Sequence, residues 1–378
     1  MKQFLFATAV LMTTIVGVGM FSLPYVSAQS GFKISVIILI LLTIVVSTVH
    51  LLYGEIVCRT KERHRLVGYA EKYLGPWGKR IVSISVIVGF YGSLLIYIIV
   101  GGDFLGAMLG SVLDLPAIFF NLAFFVVGAI VVYLGIKFVG KIDVLMGIFL
   151  IAIVFGFFIL GFPQIKTENL RSINWHNFFI PYGAILYSLA GLSAIPEIKD
   201  FFSAKEHRQY KKSIFFGTII PAVLYLLFII TVIGLTGTET TEESISGLVG
   251  VLGSSIVFFG ALFGFLATIT SFFAIGISLK ETYICDYKMN KNFAWFLVCF
   301  VPLVLLGFGV HNFITIIILI GALLGAIEGS AVILIHRRAQ RLGDQITDYK
   351  LKIPAFIGCI IILLFVAGFI FTVVFTLK

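Results

Sequence analysis

The chain has 378 residues, of which 60% are hydrophobic and 12% charged, with a formal net charge of +9. Soluble domains run near half apolar and about a quarter charged, so this balance excludes a soluble fold. Thirty-nine Phe against nine Pro exclude a disordered or collagenous chain. The basic residues sit between apolar runs instead of clustering on a soluble face, which excludes nucleic-acid binding.

A membrane span needs about 20 apolar residues. Apolar runs fall at roughly 4–26, 33–57, 81–108, 116–135, 141–162, 178–198, 213–236, 250–282, 292–309, 312–335 and 353–376. The sequence therefore predicts an all-α membrane protein of eleven spans. The first run begins near Met1, as a signal peptide would. Gly17, Gly19 and Pro24 interrupt it and Thr13 and Thr14 lie inside it, so it is read as an uncleaved helix.

The positive-inside rule gives the direction. With the N-terminus in the cytoplasm, only Lys33, Lys166, Arg171 and Lys378 of the 27 basic residues fall outside. The other 23 fall inside, so the N-terminus is expected inside and the C-terminus outside. The outer loop Thr236–Gly247 carries Glu239, Glu242 and Glu243 with no basic residue, and is long enough to cap the outer face. Cys58, Cys285, Cys299 and Cys359 have no paired spacing and are read as free thiols.

Two spans differ from the rest. The first reads TTIVGVGMFSLPY and the sixth PYGAILYSLAGLSAIPE. Gly lowers helix stability and Pro removes a backbone hydrogen bond, so both are predicted to unwind at mid-membrane. Irregular backbone at that depth survives only where it lines an enclosed cavity. The second break comes five spans after the first. Five is odd, so two five-span halves so related run inverted to one another. Broken spans at matching places of two halves point to the substrate site of a secondary transporter. The halves are residues 1–162 and 163–335, followed by a loop and eleventh span at 336–378.

The breaks dictate the chemistry. The helix beginning after Gly19 turns free N–H groups and its positive end to the cavity, which suits a carboxylate. The chain segments that end there offer free C=O groups, which suit an ammonium. Backbone at Val16, Gly17, Val18 and Gly19 is expected to take the carboxylate of an amino acid. Carbonyls at Tyr187, Ser188, Leu189 and Gly191 are expected to take its amine. Phe21, Tyr91, Tyr97 and Tyr187 are candidate walls for its side chain. In 15% aromatic sequence, packing is the competing account of each.

GVGMFSLPY followed by AQSGF, HLLYGEIVCRT, SLAGLSAIPEI and TSFFAIGISLKE resemble, in this order, segments of the amino acid/auxin permease group and its tryptophan–tyrosine permease relatives. The resemblance covers most of the chain. It implies the LeuT-like 5+5 inverted-repeat core of the amino acid–polyamine–organocation superfamily, with discontinuous helices 1 and 6 plus one extra helix. It also implies ion-coupled symport of amino acids, aromatic or other large neutral ones favoured. A sodium site of such transporters would map to Thr13, Val16, Ala267, Thr270 and Ser271. Positions 267, 270 and 271 share one helical face, and their oxygens suit a hard cation. A membrane-buried Thr or Ser also commonly bonds its own i−4 carbonyl. Tryptophan–tyrosine permease relatives are expected to use protons, for which Glu328, Glu55, His50 and Asp103 are the intramembrane candidates. Ion pairing near the basic loops is the competing account of Glu55, Glu197 and Glu281, and hydrogen-bonded packing that of His50. Glu328, about two turns from His336, is the preferred relay.

Other classes fare worse. No His precedes Glu as HExxH requires, and Val100-Gly101-Gly102-Asp103 only approaches the GxGD of intramembrane proteases. An enzyme is therefore not expected, nor a cofactor or metal beyond a coupling H+ or Na+. Repeated pore segments and rings of charge are absent from the sequence, which disfavours a channel. A membrane amino-acid sensor without net transport, or a same-fold carrier of another small organic solute, is the alternative. The partners expected are the amino acid and the lipid bilayer, in the cytoplasmic membrane of a prokaryote.

Overall fold

The computed structural model describes residues 2–135, 141–203, 206–285, 287–309 and 312–376, and every regular element in them is helical. Helix α1 (Lys2–Ile15) and α2 (Gly19–Ser30) meet at a 55° bend. Val16 N–H still donates to Met12 O at 2.8 Å, but Gly17 N–H turns back to Ile15 O at 3.0 Å and the i−4 ladder stops. A glycine between two β-branched valines has little to hold it helical. Gly31 (φ 88°) then reverses the chain into α3 (Phe32–Arg59).

Helix α4 (Leu66–Leu113) is longer than the span predicted at 81–108, because a further helical segment precedes it. Leu66, Val67, Tyr69, Ala70 and Tyr73 are buried there, a stripe at helical spacing in what composition marked as a basic loop. Gly75 (φ 81°) and Pro76 turn this segment into the span. Trp77 is 72% exposed, with the Arg80 guanidinium 5.2 Å from its ring, as suits a membrane–water boundary.

Next come α5 (Ala117–Leu134), α6 (Lys141–Gly161), the short α7 (Pro181–Ser188) and α8 (Ile195–Lys199), and α9 (His207–Thr236). Between α7 and α8 the chain leaves the α-helix at Leu189 and forms a 3-10 turn at Leu192–Ala194, the second predicted break. The one-turn α10 (Val249–Leu252) is cut from α11 (Ser254–Cys285) by Gly253 at φ 85°. Then follow α12 (Lys291–Gly307), α13 (Phe313–Leu324), a π-turn (Gly325–Gly329), α14 (Ser330–Leu342) and α15 (Ala355–Thr376).

Among the described residues eight helices are long and apolar enough to cross a membrane, and the bent α1–α2 pair makes a ninth; α12 is apolar but shorter. The chain is an integral, multi-pass membrane protein. α4 packs along α11 and α5, whereas α1 and α3 both pack on α9. α7 and α13 touch backbone to backbone: a Cβ on Gly183 would lie 2.0 Å from Ile318 O, and one on Gly321 1.9 Å from Gly183 O. Cys58 and Cys299 are buried and Cys359 exposed, all three free; the side chain of Cys285 lies outside the described residues.

Candidate functional site

The two breaks face one another. A Cβ on Gly19, the first residue of α2, would lie 2.6 Å from Ser188 Oγ and 3.0 Å from Ser188 Cα at the end of α7. No hydrogen bond among the described residues uses the Val18 or Gly19 N–H. Gly17 stands more open, its nearest neighbours being Ser271 Oγ at 3.5 Å and Tyr97 Oη at 3.9 Å from a Cβ built there. A positive helix end thus lies beside a negative one, both bordering a cavity of about 1010 Å³, solvent-continuous space included.

Of the predicted substrate residues, Gly17, Val18, Gly19, Tyr97, Tyr187, Ser188 and Gly191 line this cavity, as do His50 and Glu328. Tyr187 Oη is buried without a hydrogen-bond partner among the described residues. Val16 lines a second cavity of about 850 Å³. That cavity's wall brings together all five sodium-site candidates, Thr13, Val16, Ala267, Thr270 and Ser271. Thr14, Tyr97, Ser193 and Ile275 border both cavities. The hydroxyls there donate to their own helix: Thr13 to Ala9 O (2.9 Å), Thr270 to Leu266 O (2.9 Å) and Ser271 to Ala267 O (2.8 Å). Their lone pairs are left for a cation.

The remaining candidates do not border either cavity. Phe21 is buried in an aromatic cluster, 4.9 Å from the Phe104 ring and 6.1 Å from that of Phe228. Phe21's own carbonyl accepts the Ser244 hydroxyl at 2.6 Å, which ties the acidic loop down onto α2. Tyr91 Oη lies 2.8 Å from Tyr283 Oη, joining α4 to α11. Leu189 is fully buried inside the break itself. Asp103 is exposed on α4.

Glu55 is fully buried and held by three partners: Arg59 Nε at 2.7 Å, His336 Nε2 at 2.9 Å and Leu351 N–H at 2.6 Å. His336 is thereby engaged by Glu55. Glu328 lies in the π-turn, and no basic side chain among the described residues forms an ion pair with it. Glu197 and Glu281 meet Arg65 at 3.2 and 3.8 Å, as ion pairing near the basic loops required.

Three features escaped the sequence. Tyr225 on α9 sends one hydroxyl to both breaks, 3.0 Å from Ile15 O and 2.8 Å from Ser188 O; nothing sets it apart among 14 tyrosines. The π-turn has no composition signal beyond its two glycines. Phe365 reaches the first cavity from α15, beyond the stretch in which the sequence placed the site.

A model of the tryptophan/tyrosine permease family matches residues 1–374. Glutamine transporter 2 of Aliivibrio fischeri is 24% identical over 330 residues, 85% of this chain and 85% of that protein. Tyrosine-specific transport system 1 of Haemophilus influenzae is 27% identical over 290 residues, covering 73% of this chain and 71% of its own. The structure of MhsT in complex with L-phenylalanine superposes with a TM-score of 0.65 at 16% identity, covering 98% of this chain and 97% of that one. MHP1, a nucleobase-cation-symport-1 family transporter in a closed conformation with bromovinylhydantoin bound, reaches 0.69 at 13% identity, covering 99% and 91%. Identities this low establish a shared fold, while the family match runs over nearly the whole sequence. The chain belongs to the tryptophan/tyrosine permease family.

Proposed function

We propose that this protein is an ion-coupled secondary transporter of amino acids, working by alternating access, with aromatic or other large neutral amino acids as substrates. The observation that carries this reading is the pair of helix breaks facing one another across one cavity, N-terminal N–H groups of α2 against the C-terminal end of α7. A zwitterion has both charges a few ångströms apart and fits between such ends. Tyrosine and glutamine transport by the relatives agrees with it.

In this reading the chain crosses the membrane eleven times, with α1–α2, α7–α8 and α13–α14 each counting as one span. Residues 1–162 and 163–335 form two inverted five-span repeats, each opening on a broken span, and residues 336–378 add the loop and α15. Backbone at Val16, Gly17, Val18 and Gly19 takes the carboxylate, and the Tyr187–Gly191 segment takes the amine, beside Tyr97. The basic end faces the cytoplasm and places the N-terminus inside and the C-terminus outside a prokaryotic cytoplasmic membrane.

The coupling cation is Na+ on the wall of Thr13, Val16, Ala267, Thr270 and Ser271, or a proton on Glu328. Sharing of one cavity by all five oxygen-bearing positions supports the first; an unpaired carboxyl on the cavity wall supports the second. The test is uptake of labelled tryptophan, tyrosine and leucine into proteoliposomes under an imposed sodium or proton gradient. Accumulation under sodium alone assigns the ion to Thr270 and Ser271, and under protons alone to Glu328. Saturable binding with no uptake under either gradient would replace the transporter with a sensor.

A further inference from the structure

Beside the backbone of the two breaks, the first cavity is lined by the apolar side chains of Val46, Val49, Phe90, Leu186, Leu324 and Phe365. An apolar wall takes a side chain and not a zwitterionic head. Besides the hydroxyls of Thr14, Ser93, Tyr97 and Ser193, two titratable groups face the cavity, Glu328 from the π-turn and His50, which follows Val46 and Val49 on the same face of α3. His50 abuts the unwound linker: its Cε1 lies 3.2 Å from where a Cβ of Gly191 would sit.

The hydrogen bonds of His50 fix its tautomer. Nδ1 stands 2.9 Å from Thr218 Oγ1 on α9. The Thr218 hydroxyl has one proton, and gives it to Ile214 O at 2.9 Å. Thr218 can therefore only accept from His50, so Nδ1 carries the hydrogen. The ring is 1% exposed and has no carboxylate within ion-pairing reach among the described residues. Burial without a counter-charge favours the uncharged ring. Nε2 is then a bare lone pair beside the cavity, a hydrogen-bond acceptor next to the apolar side chains of Val46 and Val49.

We propose that His50 is a specificity-determining residue, accepting through Nε2 a hydrogen bond from the side chain of the substrate, and that Thr218 is the positioning residue that holds it in the accepting tautomer. The side chain that fits is a large apolar body ending in a donor, a phenol O–H or an indole N–H. A site built to pair with such a donor rejects the analogue that lacks it, since its own acceptor is left unpaired and dry. This inference rests on the transport reading above, and deepens it.

Tyrosine and phenylalanine differ by the hydroxyl alone and make the probe pair. In proteoliposomes the KM for phenylalanine should exceed that for tyrosine by about tenfold, the scale of one net hydrogen bond. Thr218→Val removes the acceptor for Nδ1–H and lets the ring turn its hydrogen to Nε2. The KM ratio should then fall to about one through loss on tyrosine, while Thr218→Ser, which keeps the hydroxyl, should retain the wild-type ratio. His50→Leu should lower the ratio in the same way. A purely structural role would move both substrates together, and an equal loss for the two, or an unchanged ratio in Thr218→Val and His50→Leu, overturns the proposal. Uptake of neither amino acid by the wild type under either gradient would instead strike the transport reading itself, so the two failures are told apart. If Thr218→Val fails to fold, His50→Leu and Thr218→Ser still decide the ratio.

Discussion

Tyr225 holds the two broken helices with a single hydroxyl. Its oxygen is within 3.0 Å of Ile15 O, the last residue of α1, and within 2.8 Å of Ser188 O, the last residue of α7. One proton shared between two carbonyls stabilises less than two separate bonds, but it satisfies carbonyls that lost their helical partners at the breaks. Tyr225→Phe leaves Ser188 O without its partner and Ile15 O with the Gly17 N–H alone, at a cost of about 1–3 kcal/mol. The variant should insert and fold, and its uptake rate at saturating substrate should fall by about tenfold or more; a wild-type rate would show that the breaks hold their alignment without it. The two glycines of the first break should behave differently. A methyl on Gly17 finds ordinary contacts, whereas one on Gly19 would meet the backbone and hydroxyl of Ser188. Gly19→Ala should therefore abolish uptake by parting α2 from α7, while Gly17→Ala should fold normally and raise KM by intruding on the cavity. Purified variants compared for thermal unfolding and uptake kinetics would distinguish parting from intrusion.

At the scale of elements, the contact of α7 with α13 is made by missing side chains. Gly183 and Gly321 let two backbones approach to a distance that no Cβ can enter. Gly321→Ala should lower the unfolding temperature in detergent and the yield of folded protein, by a cost above the usual 1–3 kcal/mol of an overpacked core site, since its Cβ would meet rigid backbone. The segment after α14 is a second device. Gln345 N–H donates to Arg59 O at 3.0 Å, Tyr349 Oη to Leu51 O at 2.9 Å, and Leu351 N–H to the Glu55 carboxylate. Lys72 also pairs with Asp344, and this lysine and Lys61 hold that carboxyl below the usual Asp range. A lowered pKa means the tie is complete above the ordinary Asp value of about 3.9 and is lost as pH falls through the lowered one. Glu55→Leu would strand Arg59 and His336 in a dry site, a change worth about 3–5 kcal/mol, and should expose the segment to protease. Neither device was legible from residue types. The long apolar helices were, because their apolar runs are long, and so were the breaks at 16–18 and 189–194, because Gly and Pro announce them locally. The α4 extension, the π-turn and the Glu55 cluster depend on which distant residues come together, and α4 hid its buried stripe among lysines and arginines.

For the whole molecule, the two ends are not equivalent. At the acidic-loop end Phe104, Phe228 and Phe263 pack around Phe21 of α2, and Ser244, at φ 63° and 1% exposed, pins the loop to Phe21 O. Toward the basic end the second cavity runs past Ser193 and Ser278 to Glu197, whose side chain is 45% exposed. The second cavity thus reaches a half-exposed carboxylate at the basic end, which under the positive-inside orientation is the cytoplasmic end. Closing this path requires α8 to approach α11, and Arg65, already bridging Glu197 and Glu281, lies where the two would meet. Alternating access then predicts which positions change exposure. A cysteine at Ser278, on a background with the native cysteines replaced, should react with a membrane-impermeant thiol reagent in inside-out vesicles and be protected in right-side-out ones. One at Ser213, fully buried at the same end, should react in neither. Substrate with an outwardly directed ion gradient should slow the Ser278→Cys reaction as the population shifts to the other state. Equal labelling of Ser278→Cys from both sides would mean a continuous pore, and labelling from the outside alone would invert the orientation drawn from the basic loops.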